Sequence, residues 1–406
     1  MLPPSVPISR PDASLDPGLA HRAPDPYAYR SPLKQRLATA LDALGGALMP
    51  ATAAPIAWEG VGRVAVLRLD HLGDLLLSFP ALAALRRALP QAQLDLYTGV
   101  WGAELGAWSP SVDRVVTVDA PWFQRGAAGG PTLAAILGLG RRLRAGRYDL
   151  VIDLRGEGRH LAALRLSGAR YRLGHAQSAG RFLLTHFVAW DPTLHECEQS
   201  LELLRQAGLP GVPAVGKSRP ALKLPARAKT AARSLLAKWK MKPGFIAVHA
   251  SAGSPSRLWP REHWVALLRG LPPGAPVLLL GSAPEREGLL ELGRMSGRSK
   301  LHCAAGETGL AALAGLLAEA GRLICLNSGP GHLAAALGTP VLALYSAAND
   351  PARWGPLGPQ VTVLSQRVPC GPCELALCPY DNECLRRLAP QDALAALRGK
   401  RPGVRA

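Results

Sequence analysis

An acid stands where the chain would ordinarily hold an anion. The stretch VLRLDHLGDLLLSFPALAALRRALP, beginning at Val66, reads as a strand, a tight turn and a helix. A helix N-terminus presents unpaired N–H groups and the positive end of a dipole, which suits phosphate. This turn carries Asp70 and Asp74 instead, and carboxylates repel phosphate. A helix-N-terminal acid gains about 0.3–1 kcal/mol from the dipole, which would account for Asp74 structurally. Asp70 reads as a cap or turn residue.

Two later stretches have the chemistry the first one lacks. In LNSGPGHLAAALGTPVLALYSAANDPARWGP (326–356), a strand ends at Leu326 and Asn327 and Ser328 are natural N-caps. Gly329, Pro330 and Gly331 then turn the chain into a small-residue helix, with His332 in its first turn. N–H donors, dipole and imidazole together make a seat for a diphosphate. A tight strand–helix packing turn explains the glycines but not Ser and His placed together. In VHASAGSPSRLWPREHW (248–264), a Ser/Gly loop carries Ser251, Ser254 and Ser256 toward Arg257. Hydroxyls, N–H groups and a bidentate cation suit phosphate oxygens. Several other chemistries are excluded by pattern. The glycines of GVGRVAVL precede their strand, whereas a dinucleotide fingerprint needs them after it. A G-x-x-x-x-G-K-[ST] phosphate loop, a G-x-S-x-G elbow and catalytic-metal spacing are all missing from the sequence.

The elements that must position these residues alternate. RVAVLRL, QLDLYT, RVVTV and YDLVIDL read as buried strands separated by helical patterns. GFIAVHA, PVLLLGS, RLICLNS and PVLALYS repeat the scheme, with helices near 261–270, 284–295, 308–319 and 329–337. That order predicts two α/β, doubly wound parallel-sheet domains facing a cleft, with ligands at the carboxyl ends of the strands. The Pro/Gly-rich stretch 208–229 reads as the linker. The expected division is 1–55 (a disordered tail and a helix), 56–215, 216–388, and a last helix within 389–406. In the early helix Leu33, Leu37, Leu41, Leu44 and Leu48 recur at helical spacing beside Lys34 and Arg36. Such a helix either lies on a membrane surface or packs on its own domain.

Lys and Arg number 47 against 29 Asp and Glu, a net +18, which favours anionic partners or reflects an Arg-rich genome. No apolar run is long enough to span a bilayer and the N-terminus has no apolar signal region, so the expected location is cytoplasmic.

Taken together, RLDHLGDLLLSFPALAALRRALP, HASAGSPSRLWPREHW and NSGPGHLAAALGTPVLALYSAANDPARWGP resemble the signature regions of the glycosyltransferase family 9 heptosyltransferases, in order and spacing, over about residues 60–398. The resemblance implies a GT-B fold, with two Rossmann-like domains: acceptor in the first, nucleotide-sugar donor in the second. It implies an inverting, metal-independent glycosyltransferase with no required cofactor. That enzyme would move heptose from ADP-heptose to a lipopolysaccharide core or other anionic glycolipid. It would work as a monomer, without nucleic acid, in the cytoplasm or peripherally on the inner membrane face.

The resemblance also gives Asp74 a role, that of general base toward a sugar hydroxyl. Gly73 and the arginines Arg155 and Arg159 would meet the acceptor, although the arginines equally suit a solvated helix face. Ser251, Ser254, Arg257, Asn327, Ser328, Gly329 and His332 would hold the donor. Glu285 would bind the donor ribose, or is simply exposed. Thr308 and Leu310 would lie nearest adenine, on a pattern that equally fits a core helix. Many members carry Asp where this chain has Asn327, and some carry Lys where it has Arg257. Asn keeps the cap and loses the charge, so a catalytically impaired relative that binds nucleotide or membrane is the alternative. The four cysteines Cys370, Cys373, Cys378 and Cys384, spaced C-x2-C-x4-C-x5-C, leave structural zinc, free thiols and disulfide open. The last helix would return to the first domain, as the fold implies.

Overall fold

Residues 31–49, 54–123, 132–175 and 177–399 are described by the computed structural model. The tail expected over 1–30 lies outside them, as do residues 400–406. The first lobe holds strands β1 (Arg63–Arg68), β2 (Gln93–Gly99), β3 (Arg114–Val118), β4 (Leu150–Asp153), β5 (Tyr171–His175) and β6 (His186–Val188). Its helices are α1 (Pro32–Leu48), α2 (Leu72–Ala88), α3 (Ala103–Gly106), α4 (Thr132–Ala145), α5 (Gly158–Leu166) and α6 (Glu196–Gln206). The second holds β7 (Ile246–His249), β8 (Val277–Leu279), β9 (Leu301–Cys303), β10 (Arg322–Leu326), β11 (Val341–Tyr345) and β12 (Val361–Ser365). Its helices are α7 (Ala226–Lys238), α8 (Arg261–Gly270), α9 (Arg286–Ser296), α10 (Leu310–Glu319), α11 (Gly329–Ala336), α12 (Pro351–Trp354), α13 (Glu383–Arg387) and α14 (Pro390–Leu397).

Each lobe is one six-stranded sheet, ordered β3-β2-β1-β4-β5-β6 and β12-β11-β10-β7-β8-β9, and all paired strands are parallel. Counted from each lobe's first strand, the two orders are the same doubly wound order. β1 shows why these segments become central strands. Five of its six residues are buried, because a parallel sheet covered on both faces needs an apolar run rather than alternation. Val64 sits in register with Leu94 on one side and Leu150 on the other.

Helix α2 is buried on almost every side from Leu75 to Leu85, since it lies between its own sheet and the second lobe. Its last turn carries half-buried Arg86 and exposed Arg87, favourable at the negative end of the dipole. One apolar cluster runs from α2 and α6 into α10 and α11, so the lobes share packing.

The last helix corrects the sequence expectation. α14 stays on the second lobe, packed against α8 and β11, with Ala393 in that lobe's core. Leu394 presses so closely on Gly270 that a Cβ there would sit 2.4 Å from Leu394 Cδ1. Arg322 Nη1 donates to the Leu397 carbonyl at 2.9 Å. An amphipathic helix seeks an apolar partner face, and α8 supplies one nearby.

Candidate active site

Both sheets reverse direction at a switch point: between β1 and β4 in one lobe, between β7 and β10 in the other. The carboxyl ends of these four strands face one another across a cleft of about 600 Å³. The lobes touch at the N-termini of two helices, α2 and α11. At Gly73 a Cβ would come 3.1 Å from His332 Cδ2, and at Gly329 one would come 3.4 Å from Leu72 Cδ2. At Gly73 a side chain would therefore need His332 to give way slightly, whereas at Gly329 one would meet Leu72 at ordinary contact distance.

On the first lobe Asp74 is the third residue of α2 and lines the cleft with Gly73 and Arg155. Its Oδ2 accepts from the His71 N–H at 3.2 Å, capping the helix. Its Oδ1 lies 3.6 Å from Arg68 Nη2. Arg68 is a buried guanidinium at the end of β1 that also pairs with Asp70 at 2.8 Å and Glu196 at 3.0 Å. Burial pushes the Asp74 carboxyl up, Asp70 and Glu196 push it further, and Arg68 and Arg155 oppose them; the result is about 7. Burial also works against the charge on Arg68, but Asp70, Glu196 and Asp74 outweigh it and keep it protonated.

Asp70 corrects its assignment as a turn residue. It is buried between Arg68 and Arg155, 2.5 Å from Arg155 Nη1. Burial raises its pKa, yet Arg68 and then Arg155 bring it below the usual carboxylate value. Arg155 is thereby tied to Asp70 and stacked 5.0 Å over Phe123, rather than a free cation.

On the second lobe Ser328 caps α11 in extended conformation. Its Oγ donates to the Leu326 carbonyl and lies 3.2 Å from His249 Nδ1. Asn327, Ser328, Gly329, His332, Ser251, Arg257, Glu285 and Thr308 all line the cleft. His332 is buried, and its Nδ1 has no hydrogen-bond partner. Burial, then nearby His195, pushes its pKa down to about 4, so it is neutral at pH 7. Glu285 accepts from the Ser282 N–H at 2.6 Å and the Ser282 hydroxyl at 2.7 Å. Burial pushes its pKa up, but these bonds outweigh it and keep the carboxylate ionised.

Comparison with known proteins fits this geometry. Residues 136–383 match the profile of glycosyltransferase family 9 (heptosyltransferase). Lipopolysaccharide heptosyltransferase 1 of Pseudomonas aeruginosa is 30% identical over 331 residues, covering 78% of this chain and 88% of that protein. The chain belongs to glycosyltransferase family 9. It is therefore a glycosyltransferase of the heptosyltransferase family. Lipopolysaccharide heptosyltransferase 1 of Escherichia coli K12 is 26% identical, covering 73% of this chain and 91% of that one. Among solved structures, a family 9 glycosyltransferase from Veillonella parvula superposes with a TM-score of 0.71 at 20% identity, covering 83% and 96%. An Escherichia coli heptosyltransferase with ADP-2-deoxy-2-fluoro heptose gives 0.63 at 22%, covering 83% and 99%. These place the two lobes in the GT-B fold.

Three residues expected in this family 9 site point elsewhere. Ser254 Oγ bonds Ser256 Oγ at 3.1 Å, and Ser256 donates to the Leu375 carbonyl, so this pair fastens the loop to the C-terminal segment. Leu310 packs against the core, while Leu313, one turn on, lines the cleft. Arg159 pairs with Glu157 at 2.7 Å and stacks over Trp122. The four clustered cysteines also correct an open option. They are free thiols, and among the described residues no group of three or more His, Cys, Asp or Glu is placed to hold a metal. Cys384 instead accepts from the Ala347 N–H.

Sequence reasoning missed the contacts that hold the family 9 lobes together. Glu196 of α6 joins Arg68 to Arg353 of α12, the latter at 3.6 Å. Arg353 is sandwiched by Trp190 and Trp354, its Cζ 4.4 and 4.8 Å from their rings. His195 Nε2 donates to the Gly355 carbonyl at 2.9 Å while its Nδ1 accepts from the Cys197 N–H. Together those bonds fix the tautomer, and the one to Gly355 ties the first lobe to the second. The available signal was a charged residue, Arg68, ending the buried apolar run Val64–Leu67 of β1.

Proposed function

We propose that this enzyme transfers heptose from ADP-heptose to a sugar hydroxyl of a lipopolysaccharide core or similar anionic glycolipid, with inversion and without a metal. The observation that carries the reading is Asp74, a carboxyl with pKa about 7, facing the Ser328–His332 turn across the cleft. ADP-2-deoxy-2-fluoro heptose in the Escherichia coli structure and the lipopolysaccharide heptosyltransferase relatives support the choice of donor and acceptor. A sugar hydroxyl is a weak nucleophile at neutral pH. Asp74 takes its proton as the oxygen attacks the anomeric carbon. The bond to the diphosphate breaks on the opposite face, and a single displacement inverts that carbon. Negative charge grows on the leaving ADP, where the N-terminus of α11, Ser251 and Arg257 are preorganised to receive it. Ionised Glu285 accepts from the ribose hydroxyls. His332, neutral, offers one hydrogen bond without adding charge. Thr308 stands toward the adenine side.

The test is to incubate purified protein with ADP-heptose and de-O-acylated lipopolysaccharide core, with and without EDTA. Mass spectrometry should find one added heptose in both, and NMR an inverted anomeric centre. Donor binding without transfer to any core acceptor would favour the impaired-relative reading suggested by Asn327. Loss of transfer with EDTA would remove the metal-independent mechanism.

A further inference from the structure

We propose that α1 is a surface anchor that seats this enzyme on an anionic lipid bilayer, beside the acceptor side of the cleft. The helix is docked, and the way it is docked leaves its most apolar stripe outside. Ala38, Asp42 and Gly45 are buried against the first lobe. Asp42 Oδ1 accepts from the Gly180 N–H at 2.8 Å, and Gly45 rests on the Phe182 ring. At about 100° per residue, Leu33, Leu37, Leu41, Leu44 and Leu48 fall within one narrow arc, well rotated from that buried face. All five are exposed, from 50% at Leu41 to 75% at Leu48. Lys34 and Arg36, both exposed, flank the arc on its two sides. This is the layout of a helix lying in the plane of an interface. No helix among the described residues is long and apolar enough to cross a membrane.

Charge selects the occupant. From residue 158 to 190, which includes α5, β5 and the segment that holds α1, there are five arginines and no Asp or Glu. The single acid of α1, Asp42, is buried and lies beside Arg181. Arg159 is paired with Glu157 and Arg181 with Asp42, so Arg165, Arg170 and Arg172, with Lys34 and Arg36 of α1, leave a net positive charge on these elements. That charge suits anionic headgroups rather than another copy of the same basic face.

Position supplies the purpose. The 177–183 segment that anchors α1 follows the carboxyl end of β5 and packs on the turn after β4: a Cβ at Gly158 would lie 3.2 Å from the Ala179 carbonyl. Arg155 in that same turn lines the cleft. A bilayer under α1 would thus hold a lipid-anchored acceptor close to Asp74. That last step rests on the proposed glycolipid acceptor; the bilayer contact does not.

The test uses the full chain and vesicles of phosphatidylethanolamine with phosphatidylglycerol, with pure phosphatidylcholine as control. The protein should sediment with the anionic vesicles, less with the neutral ones, and less at high salt. A Leu37→Ser/Leu41→Ser/Leu44→Ser variant should lose at least ~10-fold in partitioning with an unchanged melting curve. It should retain transfer to a soluble core acceptor and lose transfer to vesicle-embedded acceptor. Equal binding of the variant and the parent, or no binding by either, overturns the anchor. So does a concentration-dependent dimer in sedimentation velocity that the serines abolish. If vesicles bind as expected but no heptose is transferred to any acceptor, the anchor stands and the proposed function fails.

Discussion

At the scale of the residue, Asp74, the proposed base, is held at a cost to the fold. Its carboxyl has a reference value of 3.8 and a folded value of about 7. Between those values the folded chain binds a proton that the unfolded chain has released. Stability from this group is therefore greatest at low pH and falls as pH climbs toward 7. Under the proposed mechanism activity runs the other way, because only the ionised form accepts a proton. We expect kcat/KM to rise with pH and level off above an inflection near 7. Asp74→Asn should cut kcat by about 10²–10⁴-fold. It should also melt above the parent at pH 8, an advantage that shrinks at pH 5; calorimetry at the two values checks the sign. Ser328 and His332 were legible as cleft residues because each follows a strand end beside glycine, where side chains meet ligands. Asp74 drew its proposed role from the family resemblance, since its local pattern equally fits a helix-N-terminal acid. Arg68, Glu196 and Arg353 were not. Their pairing spans 128 to 157 residues of chain, and no local pattern encodes such a distance.

Elements follow the same division between local and distant information. The central strands announced themselves as apolar runs. β6, β9 and β12 did not, being short or polar edge strands (HFV, LHC and VTVLS) whose identity comes from the neighbour they pair with. β5, YRLGH, was hidden by its arginine and histidine. Helical spacing located α14 but held no information on which lobe would receive its apolar face. For α1 the sequence left a membrane surface and its own domain as rival seats. The helix packs on its domain through one face and leaves its leucines exposed on another, because a 17-residue helix has more than one face. Its attachment is narrow enough to break. Asp42→Ala leaves the Gly180 N–H without its acceptor, at a cost of about 1–3 kcal/mol for a buried donor. We expect limited proteolysis to cut between residues 31 and 49 in that variant while the two lobes persist as a resistant fragment. Cleavage no faster than in the parent would mean that packing on Phe182 alone suffices to hold the helix.

The whole molecule is two copies of one sheet order brought together so that Asp74, the proposed base, shares a cleft with the Ser328–His332 turn of the other lobe. What joins them also shifts the Asp74 carboxyl. Glu196 stands between Arg68 of the first lobe and Arg353 of the second, and its negative charge raises the Asp74 pKa. Lobe contact and base strength are therefore linked through one carboxylate. Glu196→Gln preserves the shape and removes the charge. With less negative charge nearby, and with Arg68 freer to favour ionised Asp74, the Asp74 pKa should fall. The rising limb of the kcat/KM profile should then move to lower pH, while the plateau also drops as Arg353 loses its partner across the cleft. A purely structural Glu196 would lower the plateau and leave the inflection where it was. Measuring both quantities on the same variant separates a residue that merely holds the lobes together from one that also sets the pH at which the enzyme works.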